Sequence, residues 1–244
     1  MKINKLLLMS GEDIPFPTAR VTVHTPKLNE IALIGEDNFL IGCNFLVFDR
    51  NLLSDEDKVN LENKSDFDIF MSVMNSRDKA RHKTSALMVL TLLFPQHKIK
   101  IEQDKILLQL ENFSSSINEQ NYSDFKNILI QLFCLEREGD SSEYDPADAL
   151  AARIAEKLKK RKEKKLAKKA EDGQEINIYS TYASILAIGM KISINVFMDY
   201  SVYQIREAFK RFQLKEEFDI YVRAKLAGAQ DLEEVSNWME DIHP

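Results

Sequence analysis

Apolar and polar residues alternate strictly in one early stretch of the chain. In "RVTVHT", residues 20–25, Val21 and Val23 alternate with Thr22 and His24. Side chains of a strand point to opposite faces in turn, so this spacing is typical of a half-buried strand. We therefore predict a short β-strand here, ending before Pro26.

A helical spacing follows directly in "PKLNEIALIG", residues 26–35. Proline fits the first position of a helix and glycine its end, so we expect the helix to begin at Pro26 and stop at Gly35. Three apolar side chains are expected on its inner face. They are Leu28, Ile31 and Leu33.

Further helices and a hairpin are predicted between residues 65 and 135. Ser65 and Asp68 have the spacing of reciprocal caps at a helix start. The helix that follows should bury four side chains, and the apolar run 85–94 should form a buried helix that ends at Pro95. The four side chains are Phe67, Phe70, Met71 and Met74.

Residues 97–110, "HKIKIEQDKILLQL", predict a β-hairpin, because two short alternating runs flank a polar turn. Ile99 and Ile101 should face the apolar residues of the second strand across that turn. Those residues are Ile106, Leu108 and Leu110. Residues 121–135 then return to helical spacing.

The middle of the chain predicts a long charged helix over residues 144–173. Asp145 can cap its start, Pro146 fits the first helical position, and no breaker follows until Gly173. Such a helix would be roughly 40 Å long. Its apolar stripe is replaced by basic residues after Leu158, so we expect a connector exposed on all sides that holds two globular parts apart.

The last third is predicted to be all-helical. Four apolar residues recur at helical spacing after residue 200, and a final helix should begin near Asp231. The four are Val202, Ile205, Phe209 and Phe212. The expected fold class is α+β, mostly α. The expected divisions are an α+β domain at 1–143, the charged connector at 144–173 and a helical domain at 174–244.

Composition and charge exclude several function classes. The formal net charge of the whole chain is -6, so no overall electrostatic attraction to nucleic acid or an anionic membrane is expected. Cys43 and Cys134 lie in separate apolar stretches, as reduced buried thiols do, which suits a cytoplasmic protein. No stretch is long and apolar enough to predict a membrane span or a leader.

No motif for catalysis, metal binding or cofactor binding emerges. The histidines, His24, His82, His97 and His243, are scattered, and neither cysteine has a cysteine or histidine neighbour. No glycine-rich loop precedes a Lys-Ser or Lys-Thr pair. We therefore expect a protein that is not an enzyme and that needs no metal or cofactor.

The connector carries ten Lys or Arg against two Glu between Arg153 and Lys169. Positive charge gives non-specific attraction to phosphates, but residues 151–172 contain no aromatic, Ser, Thr, Asn or Gln that could stack on or read bases. A solvated connector or a contact with an acidic protein is favoured, and binding of a nucleic acid is the alternative. The residues in question are Arg153, Lys159, Lys160, Arg161, Lys162, Lys164 and Lys165.

Three residues near the end of the sequence are candidate protein contacts: Trp238, Met239 and Ile242. Tryptophan and methionine are enriched in interface cores, and chain ends are often exposed. The alternative is that Trp238 simply closes the C-terminal helices. Both interpretations stay open at the level of sequence, as does self-association of the chain.

Several stretches resemble a known group of proteins. "YDPADALAARIAEKLKKRK", "MDYSVYQIREAFKRF" and "RAKLAGAQDLEEVSNWMEDIHP" are similar to tail or virion assembly proteins of tailed bacteriophages. "GEDIPFPTARVTVHTPKLNEIALIG" resembles the start of baseplate-assembly proteins of contractile-tailed phages. The resemblance implies a non-enzymatic protein that binds tail or baseplate proteins, in the host cytoplasm during assembly or as a structural component of the virion tail. It carries over no active-site residue.

Overall fold

The computed structural model describes residues 2–47, 64–75, 80–135, 177–229, 235 and 238–239. The predicted connector, 144–173, and the start of the predicted last helix near Asp231 lie outside these residues. Within them the fold is α+β and mostly α, with nine helices and two small antiparallel sheets, as the sequence predicts.

The elements follow one another in a simple order. A short helix leads into a hairpin and four helices, a three-stranded meander comes next, and helices complete the fold. The elements are α1 (Lys5–Ser10), β1 (Ile14–Phe16), β2 (Val21–Val23), α2 (Leu28–Ile34), α3 (Glu36–Leu46), α4 (Asp66–Asn75), α5 (Ala80–Leu93), β3 (Lys98–Ile101), β4 (Ile106–Leu110), β5 (Phe113–Ile117), α6 (Glu119–Phe133), α7 (Ile178–Met190), α8 (Ile194–Met198) and α9 (Val202–Leu226).

The predicted hairpin is confirmed as β3 and β4. Ile99 pairs with Leu108 and Ile101 with Ile106, so the expected apolar residues face one another. A third strand, β5, continues the sheet and was not predicted from the sequence. The strand predicted around Val21 and Val23 is β2, paired with β1.

Helix α2 differs from its prediction in two ways. It begins at Leu28 rather than Pro26, because Lys27 is extended and forms an isolated antiparallel bridge with Ser201. Leu28 and Ile31 are buried, but Leu33 is 86% exposed. Residues three apart share one side of a helix, whereas Leu33 is two positions after Ile31 and points away from it. Gly35 ends the helix as predicted.

Helix α4 follows its prediction closely. Its four expected side chains are all buried. Ser65 and Asp68 cap its start reciprocally: the Ser65 backbone N–H donates to Asp68 Oδ2 at 3.1 Å, and the Asp68 N–H donates to Ser65 Oγ at 3.1 Å. Two orphan donors of the first turn are satisfied in this way.

Helices α3 and α5 cross at close range through Gly42. A Cβ built on Gly42 would lie 2.5 Å from the carbonyl oxygen of Ser85 and 2.6 Å from Val89 Cγ2. Only glycine allows the two backbones to approach this closely. The helix predicted over 85–94 thereby becomes the central element of the core, with Val89, Leu90 and Leu93 fully buried.

One hydrophobic core includes both the first 135 residues and the helices after residue 177. The Leu28 N–H donates to the Tyr200 carbonyl at 3.0 Å, and Arg206 Nη1 donates to the Cys134 carbonyl at 2.6 Å. The expectation of two globular parts held apart in space is therefore wrong for residues 177–212, whose side chains complete the core of the first part. The domain limits at 143 and 173 fall outside the described residues and stay a prediction.

Candidate partner-binding surface

The end of α7, the turn after it and most of α8 form one exposed apolar segment. Every residue from 188 to 196 is exposed, and five of these nine are large apolar residues. We call their side chains, together with Ile185 on the same helix, the α7–α8 surface. It consists of Ile185, Ile188, Met190, Ile192, Ile194 and Val196.

The helices that carry this surface are anchored in the core by buried side chains. Tyr179, Ala183 and Leu186 on α7 and Phe197 on α8 are buried in the core. The ring of Tyr182 stacks on Phe209 of α9, with centroids 4.1 Å apart and planes 15° apart. The exposed side chains therefore belong to well-packed helices, and contiguous exposed apolar residues of this kind mark interaction sites.

The turn between α7 and α8 is also well specified. Lys191 adopts a left-handed conformation at φ 56° and its N–H closes the last turn of α7. Ser193 then caps α8, accepting from the Asn195 N–H at 3.4 Å. Met190, Ile192 and Ile194 are thus presented at a defined bend.

The predicted contact residues Trp238 and Met239 are near the same part of α9. Arg211 on α9 donates from Nη1 to the Trp238 carbonyl, and Phe212, the next residue, packs against Gly189 of α7. Trp238 is half-buried, whereas Met239 is 68% exposed. Met239 is therefore a further large exposed apolar residue. Ile242 lies outside the described residues.

The predicted basic residues, from Arg153 to Lys165, all lie outside the described residues, so their role stays a prediction. Two basic side chains on α9 make contacts within the chain. Arg206 binds the Cys134 carbonyl, and Lys215 pairs with Asp219 at 2.7 Å.

Two of the histidines, His24 and His97, lie near each other in the structure. His24 Nδ1 lies 2.8 Å from Asp13 Oδ1, and its Nε2 lies 3.1 Å from Glu30 Oε1. The two carboxylates lie on opposite edges of the ring, and among the described residues no three His, Cys, Asp or Glu side chains converge as a ligand set. His24 and His97 line one cavity, although 73 positions separate them in the sequence.

Both cysteines are free thiols in hydrophobic surroundings. Burial raises the pKa of Cys43 well above its ordinary value and raises the pKa of Cys134 to about 11. Both groups therefore hold their protons near neutral pH and are poor nucleophiles. No helix in the described ranges is long and apolar enough to cross a membrane.

Comparison with known protein families gives a match in the C-terminal part of the chain. Residues 168–243 match the family described as YomV second domain, a phage-associated domain family. The matched range contains the whole α7–α8 surface and the candidate contact residues. No curated protein and no solved structure matches the chain.

Proposed function

We propose that this chain is a non-enzymatic phage protein that binds an apolar segment of another virion protein through the α7–α8 surface. The contact would form in the host cytoplasm during tail or baseplate assembly, or persist in the virion tail. One observation carries the proposal: five large apolar side chains are exposed on nine consecutive residues of firmly packed helices.

The chemistry of the surface indicates its partner. A continuous apolar surface is most strongly buried by another apolar surface, since each buried methylene contributes roughly 0.8 kcal/mol. Among its exposed residues, Lys191 carries the one formal charge between positions 188 and 196. The expected partner is therefore an amphipathic helix or an apolar loop, rather than a strongly charged polymer.

The link to phages rests on the matched family, and the tail or baseplate assignment rests on the resemblance of particular stretches. Two of those stretches, residues 198–212 and 223–244, lie almost entirely within the matched range 168–243. They include the start of α9, which supports α7 from behind. The resembling residues and the exposed surface thus belong to one structural unit.

The experiment is complementation of a phage from which this gene has been deleted. The double variant Ile188→Glu with Ile194→Glu places two charges on the surface, and both positions are already exposed, so the fold should persist. We expect infectious titre to fall at least about tenfold and the protein to lose its virion partner in crosslinking. Wild-type titre with the double variant would contradict the proposal.

The matched control is Leu226→Glu at the far end of α9. Leu226 is 83% exposed, so it is at least as accessible as Ile188 at 79%. It lies fourteen positions beyond Phe212 on the same helix, a distance of roughly 20 Å. This variant should restore the titre fully, which distinguishes loss of a specific contact from a general effect of added charge.

A further inference from the structure

A cavity of about 370 Å³ lies on another part of the molecule. It is formed where the start of β2, the loop after α5 and the turn between β4 and β5 meet. Its volume is within the range of small-molecule sites. None of its lining residues belongs to the α7–α8 surface.

Two polar residues of the cavity are already occupied in holding the fold. Asp13 Oδ1 faces His24 Nδ1 at 2.8 Å and accepts from the Thr25 N–H at 3.1 Å. The other ring nitrogen of His24 faces Glu30, and the His24 backbone N–H donates to the Leu93 carbonyl at 2.9 Å. This side of the cavity is therefore a fixed wall.

Three other polar side chains are available for a ligand. Those of Arg20, Gln96 and His97 make no hydrogen bond or ion pair with any residue that the structure describes. Nδ1 of His97 is closed off from solvent and has no hydrogen-bond partner among the described residues, so a contact between His97 and a ligand would involve Nε2. Burial also lowers the pKa of His97, so a neutral ring that can donate or accept is present near pH 7.

The remaining wall is apolar and partly exposed. Leu110 and Phe113 are directly paired at the end of the β4–β5 hairpin and are 39% and 40% exposed. Phe94 is buried beside them and also lines the cavity. An apolar ligand group placed here would cover surface that the fold leaves open to water.

We propose that this cavity binds a carboxylate attached to an apolar group. The Arg20 guanidinium takes the carboxylate, and Leu110 and Phe113 cover the apolar group. The planar fork of arginine matches the two oxygens of a carboxylate, and Gln96 and His97 supply further hydrogen bonds. The carboxylate belongs to a free small acid or to the C-terminus of a peptide, since both present the same chemistry.

The charges in the cavity give a doubly charged ligand no advantage over a monoanion. Asp13 is half-exposed in the same cavity, and it forms no ion pair with Arg20. Arg20 and Asp13 carry opposite single charges, so a second negative charge on the ligand is attracted by one and repelled by the other and adds little net binding.

Titrations of the full chain, followed by NMR chemical shifts, test this proposal. The probes are 3-phenylpropionate, N-acetylphenylalanine, its neutral amide and phenyl phosphate. We expect at least one of the two acids to bind, the amide to bind at least tenfold more weakly than that acid, and phenyl phosphate to bind no more tightly than it. Binding of both acids indicates that a free acid suffices, and binding of N-acetylphenylalanine alone indicates a peptide C-terminus.

Two variants assign the contacts. Arg20→Gln should weaken binding of the acids about tenfold or more, and Phe113→Ala should weaken it for the acids and the amide alike. Arg223→Gln, which removes an exposed cation on α9, is the matched control and should change nothing. Acids that do not bind, an amide that binds equally well, or an Arg20→Gln variant that binds normally would overturn the proposal.

A negative result for ligand binding in this cavity can be distinguished from a negative result for protein binding at the α7–α8 surface. The double variant Ile188→Glu with Ile194→Glu should bind the acids as the wild type does, because no residue is shared between the two sites.

Discussion

The ring of Phe212 occupies the space that a side chain at Gly189 would need. A Cβ built on Gly189 would lie 2.2 Å from Cζ and 2.6 Å from Cε2 of that ring. Helices α7 and α9 therefore pack with the aromatic ring directly against the α7 backbone. This contact sets the position of the α7–α8 surface.

Gly189→Ala should destabilise the protein, although alanine normally favours a helix over glycine by up to about 1 kcal/mol. The added methyl group must displace Phe212, and overpacking of this kind costs about 1–3 kcal/mol. Urea unfolding followed by circular dichroism measures the change. An unchanged or raised midpoint would show that the ring moves aside freely.

A double-mutant cycle provides the control for this effect. Phe212→Ala will itself destabilise the protein, because the half-buried ring packs against the core. Once the ring is absent, adding Gly189→Ala should cost nothing further. Additive losses in the double variant would show that the methyl group clashes elsewhere.

Glu36 joins the start of α7 to the first part of the chain, and its loss should loosen that junction. Its Oε1 accepts from the Tyr179 N–H at 2.6 Å, and its Oε2 accepts from the Ser180 hydroxyl at 3.2 Å. A carboxylate at a helix N-terminus is favourable. Glu36→Ala should cost about 1–2 kcal/mol and should speed proteolysis near residue 177.

Glu36→Gln tests which property of the side chain matters. Glutamine keeps an acceptor oxygen but loses the charge, so it should retain roughly half of the stabilisation. Proteolysis of the alanine variant at the wild-type rate would mean that buried contacts of Tyr179 and Ala183 hold α7 without this cap.

Alkaline pH should destabilise the protein partly through Cys134. Burial raises the pKa of this thiol from its ordinary 9.0 to about 11, while Arg206 acts in the opposite direction. The unfolded chain loses the thiol proton first, so the contribution is complete below pH 9 and is lost as pH rises to about 11. The free energy of unfolding should therefore fall as the pH rises through this range.

Measurement of urea midpoints from pH 8 to pH 11 checks this prediction. Cys134→Ala removes the thiol and should flatten the decline by up to about 2 kcal/mol in the free energy of unfolding. Burial raises the pKa of Tyr122 and Tyr179 as well, so part of the decline should remain. Equal slopes for wild type and variant would contradict the assignment to Cys134.

Nucleic acid should not be retained by this chain at about 150 mM salt. Fluorescence anisotropy with labelled DNA and RNA measures binding for the wild type and for a variant with six basic residues changed to Gln. These are Lys159, Lys160, Arg161, Lys162, Lys164 and Lys165. Tight wild-type binding that weakens steeply with salt and disappears in the variant would favour the nucleic-acid alternative over a protein partner.

Local patterns predicted individual elements well. The β3–β4 pairing of Ile99 with Leu108 follows from alternation alone, and the Ser65 cap from a three-residue spacing. Strand β5 escaped prediction because its middle is three serines, which carry no apolar alternation. Its position is set by pairing with β4 and by the hydrogen bond from Ser115 to the Ala19 carbonyl.

Contacts between residues far apart in the chain could not be predicted from the sequence. Helical spacing identified Val202 and Ile205 as inward-facing, but it could not show that they are buried in the core of the first part of the chain. The same holds for the cavity, since nothing local relates Arg20 to His97. The α7–α8 surface was missed for a related reason: an apolar run such as residues 185–196 gives no sign of whether it is covered.

The bond between Leu28 and Tyr200 has a consequence for synthesis on the ribosome. About 170 residues must be translated after Leu28 before its hydrogen-bond acceptor exists. Until then the nascent amino-terminal part lacks Val202 and Ile205, and the hydrophobic surface that they cover in the folded protein is exposed to chaperones. Translation of an mRNA truncated before the last helices would therefore release an incomplete, aggregation-prone product rather than a smaller functional protein.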